Sequence, residues 1–377
     1  MTTLQDLETP CLVLDRARLD RNLTAMRTRC QALGVSLRTH VKTPKSIEIG
    51  RLAHGGATGP IAVSTLREAE YFAKGGFRNI LNAVAIAPAK LARVAAIQQA
   101  TGSTVRIVLD SDVVARAVAE FARDQTGAPI EVLIEIDCGE HRSGIAPDDP
   151  VLLDIAAHLA KPKVRLAGVM SHGGHSYASA DPAEIRKVAG IERDSAVAAA
   201  RRLRAAGHAA PMVSVGSSPT ILYADHLDGV TEARCGVYTL WDLAQASRGI
   251  CRLEDIAATV LTTVIGHNRA AQSLILDAGA LALSKDISAN TFMPAAGYGL
   301  VCDAQTAAPL GSLCVNAVHQ EHGTVKVPDA SWYAKLPIGS LVRVMPNHTC
   351  MTCAAYETYH VLDGNRVVDT WGRVNGW

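Results

Sequence analysis

The sequence predicts an α/β fold: a (β/α)8 barrel with a second, mostly antiparallel β domain. Three observations carry this expectation. Between Leu37 and Cys235 short apolar runs alternate with longer amphipathic stretches, the pattern of parallel strand–helix units. The apolar runs number eight, the count that closes a barrel. Beyond about Ser247 the alternation gives way to β-rich segments separated by Gly, Asp and Asn turns. A doubly wound open sheet is the alternative for the first half, and eight units suit the barrel better.

The barrel strands are expected at residues 36–40, 61–64, 80–84, 105–109, 131–136, 165–170, 212–215 and 231–235. A helix is predicted after Asp15, where Leu19, Leu23, Met26 and Cys30 repeat at three and four residues and form one apolar stripe. Another should start at Asp181-Pro182, an N-cap with proline in the first turn, and stop at Gly207. In the second half, strands are expected at 258–265, 273–276, 341–345 and 366–371. The short apolar run 11–14 is expected to join them, so the division reads as a barrel over 15–246 and a β domain made of 1–14 with 247–377.

The 377 residues suffice for a large barrel or for two domains, and 48% of them are hydrophobic. No apolar run approaches the roughly 18 residues of a membrane span. The start has no basic stretch followed by an apolar one, so a cytoplasmic location is expected. Thirty-seven Lys and Arg against 36 Asp and Glu, with no dense basic run, argue against nucleic acid or anionic lipid as partners and leave small-molecule chemistry. Nine scattered cysteines, an odd count, read as reduced thiols.

Barrel catalysis concentrates at the C-terminal ends of the strands. There the chain carries Arg38-Thr-His40-Val-Lys42, Asp137-Cys-Gly-Glu-His-Arg142, Ser171-His172-Gly-Gly-His175, Gly216-Ser217-Ser218 and Arg234-Cys-Gly236. Taken alone, Lys42 is a solvated loop lysine. At a strand end, flanked by His40 and with Arg142 in reach, its free amine is a candidate for imine formation with an aldehyde cofactor. The turns at Gly216-Ser217 and Gly236-Val237 read either as ordinary tight turns or as backbone N–H groups converging on a phosphate; their place after strands seven and eight favours a phosphate.

Late in the chain, His348-Thr-Cys350-Met-Thr-Cys353 offers an imidazole and a thiol two residues apart. On an extended segment both would face one side, a borderline-soft pair suited to Zn2+ with positions left open. A buried Cys beside a surface His is the plainer alternative. Redox chemistry by Cys350 and Cys353 lacks a thioredoxin-like setting.

Together, Thr9-Pro10, Arg38-Thr-His-Val-Lys42-Thr-Pro-Lys45, Val215-Gly-Ser-Ser-Pro-Thr220 and His348-Thr-Cys350 resemble the D-serine dehydratase and D-threonine aldolase family over almost the whole chain. Glu135-Ile-Asp137, Asp228-Gly-Val-Thr-Glu232 and Gln320-Glu-His-Gly323 fit the same pattern. The resemblance implies an alanine-racemase-like barrel with a β domain, a homodimer, and pyridoxal 5'-phosphate as cofactor. It makes Lys42 the Schiff-base lysine and Arg142 the partner of the pyridine nitrogen. Gly216, Ser217, Gly236 and Val237 become phosphate contacts, and His40 a neighbour of the cofactor. His172 stands beside the substrate, with Tyr177 a nearby aromatic. His348 and Cys350 correspond to the metal ligands, for Zn2+ or another divalent ion.

Thr39 stands where the family commonly has proline, and Pro44 where it often has histidine or serine. Aldolases of the family typically show His-x-Asp at the metal pair, so Cys350 favours dehydration of a D-3-hydroxy amino acid, such as D-threo-3-hydroxyaspartate or D-serine, to a 2-oxo acid and ammonia. Retro-aldol cleavage to glycine and an aldehyde is the nearest rival; a racemase and a noncatalytic pyridoxal phosphate carrier are further ones.

Overall fold

The computed structural model describes residues 2–377. It divides into two compact units, one of residues up to Thr24 with Val237–Arg373, the other of Ala25–Gly236 with Val374–Trp377.

The second of these is the closed barrel. Its strands are β2 (Ser36–His40), β3 (Ile61–Val63), β4 (Asn79–Ala85), β5 (Thr104–Leu109), β6 (Ile130–Ile136), β7 (Val164–Ser171), β8 (Met212–Val215) and β9 (Glu232–Cys235). All pair in parallel, and β9 closes onto β2 with Leu37 opposite Ala233. The eight-strand expectation holds, with no strand end shifted by more than one residue.

Helices on the outside start where local chemistry directs. The Thr65 hydroxyl accepts the Glu68 N–H at the head of Leu66–Lys74, and Asp181 accepts the Ala183 N–H at the head of Pro182–Ala205. That helix ends before Gly207, whose φ of +89° suits glycine.

Period-two alternation places charged and apolar side chains in layers inside the barrel. Near the strands' N-terminal ends, Arg38 and Glu232 form a bidentate pair at 2.7 and 2.8 Å, and Arg106 meets Glu131 at 2.7 Å. Above lies an apolar layer that includes Ala62, Leu81, Val108 and Leu133. On the same inward faces, nearer the strands' C-terminal ends, stand His40 on β2, Glu135 on β6 and Arg234 on β9, all buried. The barrel is a packed plug that ends in polar groups at one mouth.

In the other unit, β1 (Cys11–Asp15) joins strands from the end of the chain, as expected: β10 (Ala258–Asn268), β11 (Ser273–Leu276), β12 (Gly299–Asp303), β13 (Pro309–Cys314), β14 (Ala317–Val318), β15 (Gly323–Lys326), β16 (Leu341–Pro346), β17 (Thr358–Asp363) and β18 (Arg366–Gly372). The main path runs β13-β12-β16-β10-β1-β17-β18, and β11 leads off β10 to β15 and β14. Only β1 with β17 is parallel, so the unit is mostly antiparallel. None of the nine cysteines, all of them among the described residues, is in a disulfide. No helix among the described residues is long and apolar enough to cross a membrane.

Candidate active site

The polar barrel mouth is built from the ends of β2, β6, β7, β8 and β9. His40 ends β2 and is buried; two residues on, the Lys42 N–H faces its Nδ1 at 3.4 Å. The Lys42 side chain is exposed, whereas Lys45 is taken up by an ion pair with buried Glu68 at 3.3 Å. Burial keeps His40 neutral by lowering its pKa well below the usual value, and the positive charges of Lys42 and Arg234 add to the effect.

His172 follows β7. Its Nδ1 lies 2.9 Å from the Gly216 carbonyl oxygen, which only accepts, so Nδ1 carries the proton and Nε2 presents a lone pair. Burial pushes its pKa down to about 3, helped by Arg234 and opposed by the Gly216 carbonyl. Two neutral imidazoles thus stand near an exposed amine, able to accept hydrogen bonds at neutral pH but too weakly basic to carry a proton there.

Arg142 sits on the loop after β6, more exposed than the sequence suggested, with Nη1 3.5 Å from Glu140. Its charge still reaches His172 and Glu135. Arg234, which the sequence offered only as part of a strand end, is the wholly enclosed cation: it donates to Ser214 Oγ at 2.8 Å and to the Ser171 carbonyl at 2.6 Å.

The turn after β8 differs from the expected phosphate nest. Gly216 adopts φ +133°, and a Cβ there would press on the Arg234 backbone at 2.9 Å, so glycine is required. Its N–H, however, donates to Glu192 at 2.7 Å, and the Ser217 N–H donates to Thr220 Oγ1 at 3.0 Å. Those two amides are satisfied within the protein. The Ser217 hydroxyl is buried as well: it accepts the Thr220 N–H at 3.2 Å and lies 3.1 Å from Ser176 Oγ, with Tyr177 on the neighbouring segment Gly174–Ala178. Gly236 follows β9, where a Cβ would meet the His40 carbonyl at 2.9 Å, and the chain continues into Val237.

The remaining pair lies in the β unit. The segment does not take the extended form in which both side chains would face one side: His348 precedes one helical turn, Thr349–Cys353, which begins there because the Thr349 N–H is held by Asp242 at 3.1 Å. His348 and Cys350 are nevertheless brought together by a side-chain hydrogen bond. His348 Nδ1 bonds Asp286 at 2.8 Å, so Nε2 is the nitrogen that could take a metal, in the arrangement that orients metal-binding histidines. Hydrogen bonds to His348 and Ser288 hold the Asp286 carboxyl below the ordinary carboxylate range against its partial burial. Sequence reasoning missed Asp286, 62 residues before His348, because no local pattern links them. It also missed Glu192, for which a signal existed: Ile185, Ala189, Glu192, Ala196, Ala199 and Leu203 share the buried stripe of one helix, and a lone acid on such a stripe needs a partner.

Comparison with known families decides the lineage. Residues 14–242 match the alanine racemase N-terminal domain, and residues 257–362 match a serine dehydratase domain. The chain belongs to the D-serine dehydratase family with alanine-racemase-like barrels.

Members of this family related to the chain along its full length include D-threo-3-hydroxyaspartate dehydratase of Delftia sp. strain HT23, 42% identical over 100% of this chain and 99% of the relative. D-serine dehydratase of Dictyostelium discoideum is 29% identical over 99% and 98%. The 3-hydroxy-D-aspartate aldolase of Paracoccus denitrificans is 28% identical over 97% and 91%. The solved Delftia structure superposes with a TM-score of 0.96, covering all of both chains at 41% identity. A cysteine-to-alanine variant of that dehydratase was solved in a metal-free form.

Proposed function

We propose that the chain is a pyridoxal phosphate-dependent dehydratase of D-3-hydroxy amino acids, D-threo-3-hydroxyaspartate or D-serine, that releases a 2-oxo acid and ammonia. The observation that carries this reading is the Lys42 amine at the barrel mouth beside two neutral imidazoles, His40 and His172. Full-length kinship with dehydratases supports it.

The donor sets fit both groups that the family implies. Lys42, Arg142, Tyr177, the Ser217 hydroxyl and the backbone at Gly236 and Val237 are the groups that would hold pyridoxal phosphate, with His40 beside it and Gly216 shaping the turn rather than contacting the phosphate. His348 and Cys350 share a hydrogen-bonding proton, which a divalent cation displaces on binding. Imidazole with thiolate selects zinc over magnesium. When bound, the cofactor supplies an aldehyde and an electron-accepting ring, and the metal a Lewis acid for the β-hydroxyl.

The protein's own contribution is proton management. Lys42 would supply the amine that takes up the α-proton of a D-configured substrate. His172, anchored through Nδ1 on Gly216, holds its Nε2 lone pair ready to accept a hydrogen bond from the β-hydroxyl and orient it; the proton that Lys42 takes up is the one available to the departing hydroxide. The bonds from Glu192 and Thr220 keep the turn after β8 from following the ligand.

Retro-aldol cleavage is the second reading, supported by the aldolase relative and disfavoured by a thiol at Cys350. Ammonia and 2-oxo acid from D-serine, D-threonine and both D-3-hydroxyaspartate diastereomers, measured with and without zinc, test the proposal; glycine and an aldehyde as products would replace it. Recovery of the opposite enantiomer without ammonia marks a racemase, and bound cofactor without turnover a carrier. The reading includes a homodimer, checked by sedimentation equilibrium.

A further inference from the structure

We infer that Glu192 is a positioning residue that locks the turn after β8 to the His172 loop, so that one buried carboxylate sets both the seat of the cofactor phosphate and the direction of the His172 ring. The inference rests on the function proposed above.

Glu192 lies in the middle of the helix Pro182–Ala205 and is 1% exposed. Its Oε1 accepts the Gly216 N–H at 2.7 Å and the Gly173 N–H at 2.8 Å. The Thr220 hydroxyl bonds the same carboxylate. Gly216 in turn accepts His172 Nδ1 at 2.9 Å. A closed circuit results: the helix holds the residue after His172 and the turn after β8 through one oxygen, and that turn holds the His172 ring.

The surroundings leave little slack. A Cβ on Gly173 would stand 3.0 Å from Thr220 and 3.2 Å from Glu192, and Gly216 already packs against the Arg234 backbone. Removing the acceptor would strand two buried amides, and each would seek a partner by moving its loop.

A role confined to anchoring the helix would depend on folding stability alone. A positioning role depends on reach. Glu192→Gln keeps a carbonyl oxygen at the same distance; Glu192→Asp keeps the charge but is one methylene too short to serve both amides. Apo protein is titrated with pyridoxal phosphate, following the visible absorption of the lysine-bound cofactor, and kcat is then measured at saturating cofactor. Glu192→Asp should weaken cofactor binding by about tenfold or more and also lower kcat, whereas Glu192→Gln should stay within about threefold of wild type in both.

Equal binding by wild type and Glu192→Asp, or an equal loss in Glu192→Gln, overturns the inference and leaves the functional reading standing. Wild type that binds no pyridoxal phosphate overturns both. Should Glu192→Asp not fold, Thr220→Val, which removes the hydroxyl shared by the turn and the carboxylate, must weaken cofactor binding in the same assay; unchanged binding there refutes the circuit.

Discussion

Asp286 should govern how tightly the His348–Cys350 pair holds zinc, although it is no ligand itself. The carboxylate accepts from His348 Nδ1 at 2.8 Å, and the two side chains keep 23% and 33% of their exposure. This is a charge-assisted bond in a half-dry setting, which fixes the tautomer and makes Nε2 a stronger donor. Outer partners of this kind are worth about 10- to 100-fold in metal affinity, or about 1.4–2.7 kcal/mol. Asp286→Ala should therefore weaken zinc by that factor. Asp286→Asn, whose amide oxygen still accepts from Nδ1 but lacks charge, should fall at the lower end. The assay is competition for zinc against a chromophoric chelator, with circular dichroism confirming that the fold is intact. Zinc affinity in folded Asp286→Ala within about twofold of wild type would refute the reasoning.

Other outcomes follow from the barrel. Lys42→Ala should abolish both the visible band with pyridoxal phosphate and ammonia release; an unchanged spectrum would remove Lys42 from its role. Glu232→Ala leaves Arg38 buried and uncompensated, and should cost about 3–5 kcal/mol in urea unfolding, whereas an apolar double replacement of Arg38 and Glu232 should cost much less. The pH dependence has a definite sign. His172, lowered from 6.5 to about 3 by burial, binds fewer protons folded than unfolded between those values, so stability rises with pH across the window and is lost on acidification. His40, lowered in the same direction, adds to the slope. Thermal midpoints from pH 7 down to pH 4 should fall, and His172→Gln should flatten the curve; a slope indifferent to that substitution would show that His172 is not the group responsible.

Much of the architecture was legible because it rests on local chemistry. Side-chain period, turn residues and caps are written within ten residues of each other, so the barrel strands, the entry of Cys11–Asp15 into the β unit and the Asp181-Pro182 helix start could all be read. The site's outline was legible for the same reason: strand ends are where a barrel places its chemistry, and Lys42, His172, Gly216 and Arg234 follow or end strands. The conformation of His348–Cys350 was not legible, because a carboxylate 107 positions away, Asp242, holds the Thr349 N–H where the helical turn begins.

The sequence by itself determined fold class, the strands and the residue types available for catalysis, since hydrophobic period and turn chemistry act over short spans. Tertiary structure decided which of those groups meet. Only there does Glu192 reach two loops, Asp286 reach His348, and burial, helped by Arg234, hold His172 neutral, because burial, hydrogen bonds and Coulomb forces depend on distances in space that chain separation does not encode.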